Sequence, residues 1–237
     1  MMSTTHKYKP LLANIQNNFQ KSNNYLHKAR NEIKIIDFND EKLAVKSFRV
    51  PNFLNKIIYT FLRDSKSKKS YNNSIKINQF VPAPIGFIEF KKFGLLHNSY
   101  YVSEKFNYDF TIRELLFDNN FKDKKLILKL FAKFTSELHC NGIYHLDYSP
   151  GNILIKKDND SYIFKIVDVN RMKFIDFDLD TRAKNFSRIW LNDNDLEYIA
   201  LEYCKLTNID SELFIPIALK YSQKHKARTE LKKRLKK

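Results

Sequence analysis

Apolar residues recur from Lys124 to Cys140 at Leu126, Leu128, Leu130, Phe131, Phe134 and Leu138. That spacing predicts a long helix with one buried side, stopped at Asn141-Gly142. The period then shortens: Ile153 to Lys156 and Tyr162 to Val167 are β-runs around the polar turn Lys157-Asp158-Asn159-Asp160, a hairpin pattern. Upstream, Arg30 to Ile36 and Leu43 to Phe48 read as strands joined by the turn Asn39-Asp40-Glu41. Val81-Pro82-Ala83-Pro84 leads into a further strand over Ile85 to Glu89, and Ser99 to Glu104 forms the next. Between them Ile57, Ile58, Phe61 and Leu62, then Tyr71 and Ile75, favour helix, interrupted by the basic stretch Ser65 to Ser70. Thr111 to Phe117 reads as a short helix opened by an Asp109 or Thr111 cap, and Leu196 to Tyr221 as two helices.

The chemistry sits where the long helix gives way to the hairpin. His145-Leu146-Asp147-Tyr148-Ser149-Pro150-Gly151-Asn152 has the form H-x-D-x-x-x-x-N, by which a kinase catalytic loop presents an Asp to the substrate hydroxyl and an Asn to a metal ion. The hairpin returns the chain to Asp168 in Ile166-Val167-Asp168-Val169-Asn170. Asp147 is the candidate base, and Asn152 and Asp168 are the candidate magnesium ligands. Phosphoryl transfer needs these types because oxygen-ligated Mg²⁺ neutralises dispersed negative charge while an acceptor orients the incoming hydroxyl. The bland alternative makes Asp147 and Asn152 turn formers around Pro150-Gly151. His145 reads better as a buried scaffold residue, and His139 as a packing residue, than as ligands. Lys46, in Leu43-Ala44-Val45-Lys46, matches the V-A-I-K strand whose lysine steadies the α- and β-phosphates, against the alternative of a solvent-facing strand lysine.

Together with Asp168-Val169-Asn170-Arg171-Met172, the loop resembles the lipopolysaccharide kinase family of the Kdo/WaaP type, the D-x-x-R form of the metal-binding Asp being the more particular part. The likeness is clearest from Lys46 to Asn185. It implies an α+β, protein-kinase-like two-lobe fold with a small, mostly antiparallel β N-lobe and a mainly helical C-lobe. The expected division is an N-terminal extension over 1–24, the N-lobe over 25–104, the C-lobe over 105–222 and a basic tail over 223–237. It further implies ATP and Mg²⁺ as cofactors and a sugar hydroxyl of the lipopolysaccharide inner core, Kdo or heptose, as acceptor, with the lipopolysaccharide core or lipid A precursor as partner.

Two departures stand out. No acidic residue occurs between Asp64 and Glu89, where a kinase helix carries the Glu that pairs the strand lysine, so Glu89 or another polar group has to orient Lys46. The glycines are Gly86, Gly94, Gly142 and Gly151, none ahead of Lys46, so no glycine-rich lid cradles phosphate; Arg30 in the first turn is the candidate to contact it instead. Glu104 and its neighbours fall at the hinge whose backbone would bind adenine. Arg171 and Arg188 are candidates to grip an anionic acceptor, or else partners in structural ion pairs.

Composition narrows the setting. The chain has 237 residues, enough for two small lobes, and Cys140 and Cys204 are its only cysteines, which excludes a disulfide framework and a four-cysteine zinc site. No apolar stretch approaches the roughly 20 residues of a membrane span, and the start lacks a secretion signal's apolar core, so the expected location is the cytoplasm. The net charge of +16 favours polyanionic partners, blunted by a general abundance of Lys, Asn and Ile. Half of the surplus lies in Lys220 to Lys237, where Ala227, Leu231 and Leu235 share a helical face. This basic tail suits an anionic inner-membrane surface, or is simply solvated; no base-reading module accompanies it, which disfavours nucleic acid. The competing functions are a protein Ser/Thr kinase, opposed by the lack of an A-P-E segment, a small-molecule kinase, and a pseudokinase or binding scaffold favoured by the missing lid and helix Glu.

Overall fold

The computed structural model describes residues 2–28 and 31–235, and the chain divides into two compact units, Met1–Asn107 with Asp168–Asn170 and Tyr108–Val167 with Arg171–Lys237. The architecture is α+β and kinase-like, with a mostly antiparallel sheet and a helical C-terminal region.

The first unit runs β1 (Met2–Thr4), α1 (Lys9–Ala13), α2 (Ile15–Lys21), β2 (Tyr25–Lys28), β3 (Glu32–Phe38), β4 (Glu41–Phe48), α3 (Phe53–Ile57), a π-turn (Ile58–Leu62), α4 (Lys66–Lys76), β5 (Pro84–Lys92) and β6 (Leu95–Glu104). Its strands form one antiparallel sheet in the order β1-β5-β6-β4-β3-β2. The β3–β4 hairpin closes through Asn39 and Asp40, both at positive φ, which these residue types tolerate and which matches the twist of the strands. The sequence reading places no element before residue 25. There, Leu11, Leu12, Ile15 and Phe19 line one side of α1 and α2 and pack on Ile36, Val45, Ile88, Tyr100 and Val102 of the sheet. Buried Lys34 ties down the end of α2 by donating to the carbonyls of Phe19 and Ser22, both at 2.8 Å, as cations do at helix C-termini. The basic stretch expected to interrupt a helix instead begins one. Ser65 accepts from the Lys68 N–H and caps α4, and the break falls just before it, at Arg63 and Asp64.

The second unit runs β7 (Phe110–Thr111), α5 (Ile112–Phe117), α6 (Lys124–Cys140), β8 (Ile143–His145), β9 (Ile153–Asp158), β10 (Ser161–Ile166), β11 (Met172–Phe174), α7 (Leu179–Phe186), α8 (Asp193–Thr207) and α9 (Ser211–Arg234). Thr111 opens α5 with a full capping box closed by Glu114. α6 spans the range its periodicity predicts, rotated slightly: Ile127, Leu128, Phe131, Phe134 and Leu138 are buried, whereas Leu126 is exposed. It packs on α8, and Phe186, Tyr203 and Phe214 join α7, α8 and α9 in one aromatic core. β9 and β10 pair through the two-residue turn Asn159-Asp160, and β8 pairs with β11. The basic C-terminal segment lies in α9, where Tyr221 donates to Asp180, Gln223 and Lys226 donate to Asp193, and His225 packs on Trp190. No helix among the described residues is long and apolar enough to cross a membrane.

Candidate active site

The loop from His145 to Asn152 connects β8 to β9 in the second unit. His145 is buried, and its Nδ1 accepts the Asp147 N–H at 3.0 Å, so the ring proton sits on Nε2 and is donated to the Val167 carbonyl at 3.0 Å. One neutral imidazole thus fixes both the loop and the residue immediately before Asp168. Asn152 ends a 3₁₀ turn (Pro150–Asn152) and folds back, its Nδ2 donating to the Asp147 carbonyl at 2.9 Å. This orients the amide: its Oδ1 has no hydrogen-bond partner among the described residues. Neither does the Asp147 carboxylate, which is partly exposed. The Asn152 carbonyl accepts the Val167 N–H at 2.9 Å, and the Arg171 carbonyl accepts the Leu146 N–H at 3.0 Å, so main-chain bonds hold the loop on both flanks.

A line of buried side chains supports the loop from below. Asn185 of α7 donates from Nδ2 to the His145 carbonyl at 3.0 Å and accepts on Oδ1 the Nε2–H of His139, also at 3.0 Å. With that proton on Nε2, His139 Nδ1 accepts the Tyr203 hydroxyl at 2.8 Å, and the Tyr203 oxygen in turn accepts from Arg182. Each donor meets an acceptor, and no buried side-chain polar atom among the described residues is left without a partner. Burial pushes the His139 pKa down to about 3 and that of Tyr203 up to about 12, so both stay neutral across the physiological range. Arg171 and Arg188 are exposed and make no ion pair among the described residues. His225 is held below its ordinary pKa first by burial and then by the charge of Arg188.

In the first unit, Lys46 stands on β4 opposite Tyr101 of β6 and Ile33 of β3. Its Nζ lies 2.8 Å from Asp168 Oδ1, with only 12% of the lysine side chain and 30% of the aspartate exposed. Asn170 donates to the same Oδ1. Oδ2 therefore remains for another ligand. Asp168 adopts φ 59, a left-handed conformation that Asp tolerates better than most side chains and that recurs at functional turns. The next residue is held from α4: Asn73 Nδ2 donates to the Val169 carbonyl at 2.7 Å. Hence α4 supplies an amide directed at the Asp168 turn, and Asp168 itself orients Lys46. α4 seats through small polar residues, with Ser67, Ser70 and Ser74 buried and the Tyr101 hydroxyl donating to Ser74 at 2.8 Å. Burial pushes Tyr101 up to about 12. Asn73 and Asn170 were absent from the sequence-derived candidates; Asn170 lies inside the D-x-x-R segment, whereas nothing marks Asn73 among the asparagines of α4.

Glu104 is exposed at the end of β6. Its N–H is taken by the Ala83 carbonyl at 2.9 Å, and the Lys105 N–H by the Lys42 carbonyl at 3.0 Å. Arg30 lies outside the described residues. The structure thus brings Lys46 onto Asp168, and Asn152 onto the backbone of Asp147. Within each unit the donors are hard oxygens, Asp168 Oδ2 in the first and Asn152 Oδ1 in the second, a donor type that suits Mg²⁺ better than a transition metal.

No model of a known protein family matches the chain, and no curated protein does. Among solved structures, WaaP in complex with acyl carrier protein matches with a TM-score of 0.62, covering 97% of this chain and 98% of that one at 10% sequence identity. A likeness at that identity shows a WaaP-like, kinase-like fold.

Proposed function

We propose that the chain is an ATP- and Mg²⁺-dependent kinase that phosphorylates a sugar hydroxyl of the lipopolysaccharide inner core, Kdo or heptose. The observation that carries the phosphotransfer reading is the Lys46 to Asp168 contact at 2.8 Å, with Asn170 on the same carboxylate oxygen and the other oxygen left for a ligand. A lysine placed for solubility would not be nearly buried against an aspartate held at positive φ.

In this reading Asp168 and Asn152 would hold magnesium, and Lys46 would bind the α- and β-phosphates. When bound, magnesium neutralises the charge that builds on the transferred phosphoryl. Asp147 accepts the proton of the attacking hydroxyl; its carboxylate has no competing donor among the described residues, and its backbone is fixed through His145 and Asn152. Adenine binds along the backbone after β6, beyond the amides of Glu104 and Lys105, which are already engaged. Arg171 and Arg188, which make no ion pair among the described residues, grip an anionic acceptor, and the basic stretch of α9 favours an anionic inner-membrane surface. In this reading the N-lobe over 25–104 falls within the first unit and the C-lobe over 105–222 largely within the second, and acyl carrier protein, present with WaaP in the matching structure, is a partner to test here.

The test is ATP binding and turnover with Mg²⁺ on lipopolysaccharide core acceptors, for wild type, Asp147→Ala and Asp168→Ala. The expected pattern is that Asp147→Ala binds ATP without turning it over, and Asp168→Ala loses Mg²⁺-dependent binding. Wild type that binds ATP but transfers phosphate to no core glycolipid overturns the acceptor assignment.

A further inference from the structure

Residues 53–62 carry apolar pairs four apart, Phe53-Leu54, Ile57-Ile58 and Phe61-Leu62. An α-helix turns once in 3.6 residues, so such a ridge drifts around a regular helix. Here the π-turn after α3, closed by the Arg63 N–H on the Ile58 carbonyl at 2.8 Å, takes up the surplus residue. The middle pair is half-buried, yet the outer pairs stand in solvent: Phe53 is 68% exposed, Leu54 70%, Phe61 72% and Leu62 75%. The β5–β6 hairpin comes to the same place. Thr60 Oγ1 accepts the Leu96 N–H at 2.9 Å, which docks the hairpin end on the π-turn, and at its tip Phe93 is 92% exposed. Helix propensity and core packing explain none of these exposures, and clustered large apolar residues on a soluble surface mark an interaction site.

The surrounding charge says what covers it. Lys56 lies within the helical segment and Arg63 ends it, Lys91 and Lys92 precede Phe93, and Lys92 Nζ lies 5.6 Å from the Phe93 ring centroid. Aromatic and leucine side chains on two projecting tips, collared by lysine and arginine, form the composition that enters a headgroup layer, the rings reaching the acyl boundary and the cations meeting lipid phosphate. We propose that α3, the π-turn and the β5–β6 tip form a docking surface for an anionic lipid bilayer. It belongs to the first unit, whereas the basic stretch of α9 belongs to the second.

The experiment is flotation of the full chain with vesicles of phosphatidylethanolamine and phosphatidylglycerol, against vesicles of phosphatidylcholine alone. Wild type is expected to float with the anionic vesicles only. Phe61→Ser and Phe93→Ser replace exposed side chains, leave the fold intact by circular dichroism, and each weaken partitioning about tenfold, the factor that 1.4 kcal/mol of lost insertion represents. Charge reversal of Lys232 and Lys233 in α9 controls for the tail. The proposal is overturned if the Phe variants float as wild type does, if only the tail reversal abolishes flotation, or if the patch instead binds an acidic protein such as acyl carrier protein and ignores lipid. Phe93→Trp supplies a second reading: its fluorescence is expected to be quenched by brominated phosphatidylglycerol, and unquenched emission in bound protein also overturns the proposal. Neither Phe61 nor Phe93 belongs to the ATP-binding residues proposed above, so turnover of a soluble acceptor, unchanged in these variants, separates failure of docking from failure of the kinase reading.

Discussion

The loop that carries Asp147 is held by neutral groups, whereas the turn that carries Asp168 is held by a charge. In the loop, His145, His139, Asn185 and Tyr203 pass hydrogen bonds inward until each donor is matched. At the turn, the Lys46 ammonium and the amides of Asn170 and Asn73 hold a backbone at positive φ. The difference separates two needs. On the proposed reading a general base must keep one position through the whole cycle, which a closed network of buried neutral groups, anchored at its far end by Arg182, provides. On the same reading a residue that shares its partners with a nucleotide must be able to exchange them, and Asp168, with 30% of its side chain exposed, keeps an oxygen open for that. Changes in the first region should therefore appear as lost rate or stability, and changes in the second as lost nucleotide affinity.

The sharpest division comes from Asp147→Ala. A positioned general base contributes roughly 10²–10⁴-fold, so kcat should fall by about that factor while the KM for ATP moves little. Steady-state kinetics with varied ATP reads both; a change confined to KM would place Asp147 on the nucleotide side. Next in size is Asn185→Leu, which leaves the His139 Nε2–H and the His145 carbonyl without this partner inside the core. Two buried groups so orphaned correspond to about 2–4 kcal/mol, visible as a lower urea midpoint. Lys46→Met should do the reverse. Its charge-assisted contact to phosphate is worth about 1.5–3 kcal/mol, roughly 10–100-fold in ATP affinity, while folding stability shifts less, because Asp168 keeps the Asn170 amide as a donor and 30% of its side chain in solvent when the lysine charge is gone.

The same contrast explains what the sequence made legible. H-x-D-x-x-x-x-N is a local string, and the network beneath it begins at His145, so the loop declares itself in linear order. α6 and the β9–β10 hairpin were equally open, because apolar period and a polar turn are properties of neighbouring residues. The partner of Lys46 was not, since Asp168 is far away in sequence, and the helix that lacks an acidic residue contributes Asn73, one of two adjacent asparagines, to the Val169 carbonyl instead. Nor was α1–α2 read, although Leu11, Leu12, Ile15 and Phe19 have helical spacing; only their burial against the sheet distinguishes a structural segment from an extension. The rotation of α6 that buries Ile127 and exposes Leu126 is likewise set by α8, a partner outside any local window.

Acid should sharpen the comparison further, because it reaches the loop's support through His139. Its pKa lies near 3 in the folded protein against 6.5 for an ordinary histidine. Between those values the unfolded chain binds a proton that the folded chain refuses, so this residue lowers stability as pH falls through the window, by up to about 1.4 kcal/mol per pH unit. Urea unfolding of wild type and His139→Gln from neutral to acid pH isolates it from the carboxylates common to both. The variant should be less stable at neutral pH and show a slope shallower by about that amount; parallel slopes would mean that the ring is protonated within the fold.

The smallest effect is expected within the loop itself, at Gly151. A Cβ built there meets Arg113 Nη2 at 2.7 Å and Cζ at 3.3 Å, the far end of a flexible side chain, and the backbone is not left-handed. Gly142, at the head of the same β8, is the opposite case: φ is +68 and a Cβ would sit 3.0 Å from the Ile175 carbonyl oxygen, which is backbone and cannot swing aside. Gly142→Ala should therefore lose about 1–2 kcal/mol, the ordinary penalty of a left-handed alanine. Gly151→Ala should stay within about 0.5 kcal/mol of wild type by urea unfolding, as a change that meets only a mobile guanidinium does. If Gly151→Ala instead lowers kcat as far as Asp147→Ala does without loss of stability, then Arg113 is itself positioned by that glycine, and the loop's rigidity extends to a second guanidinium besides that of Arg182.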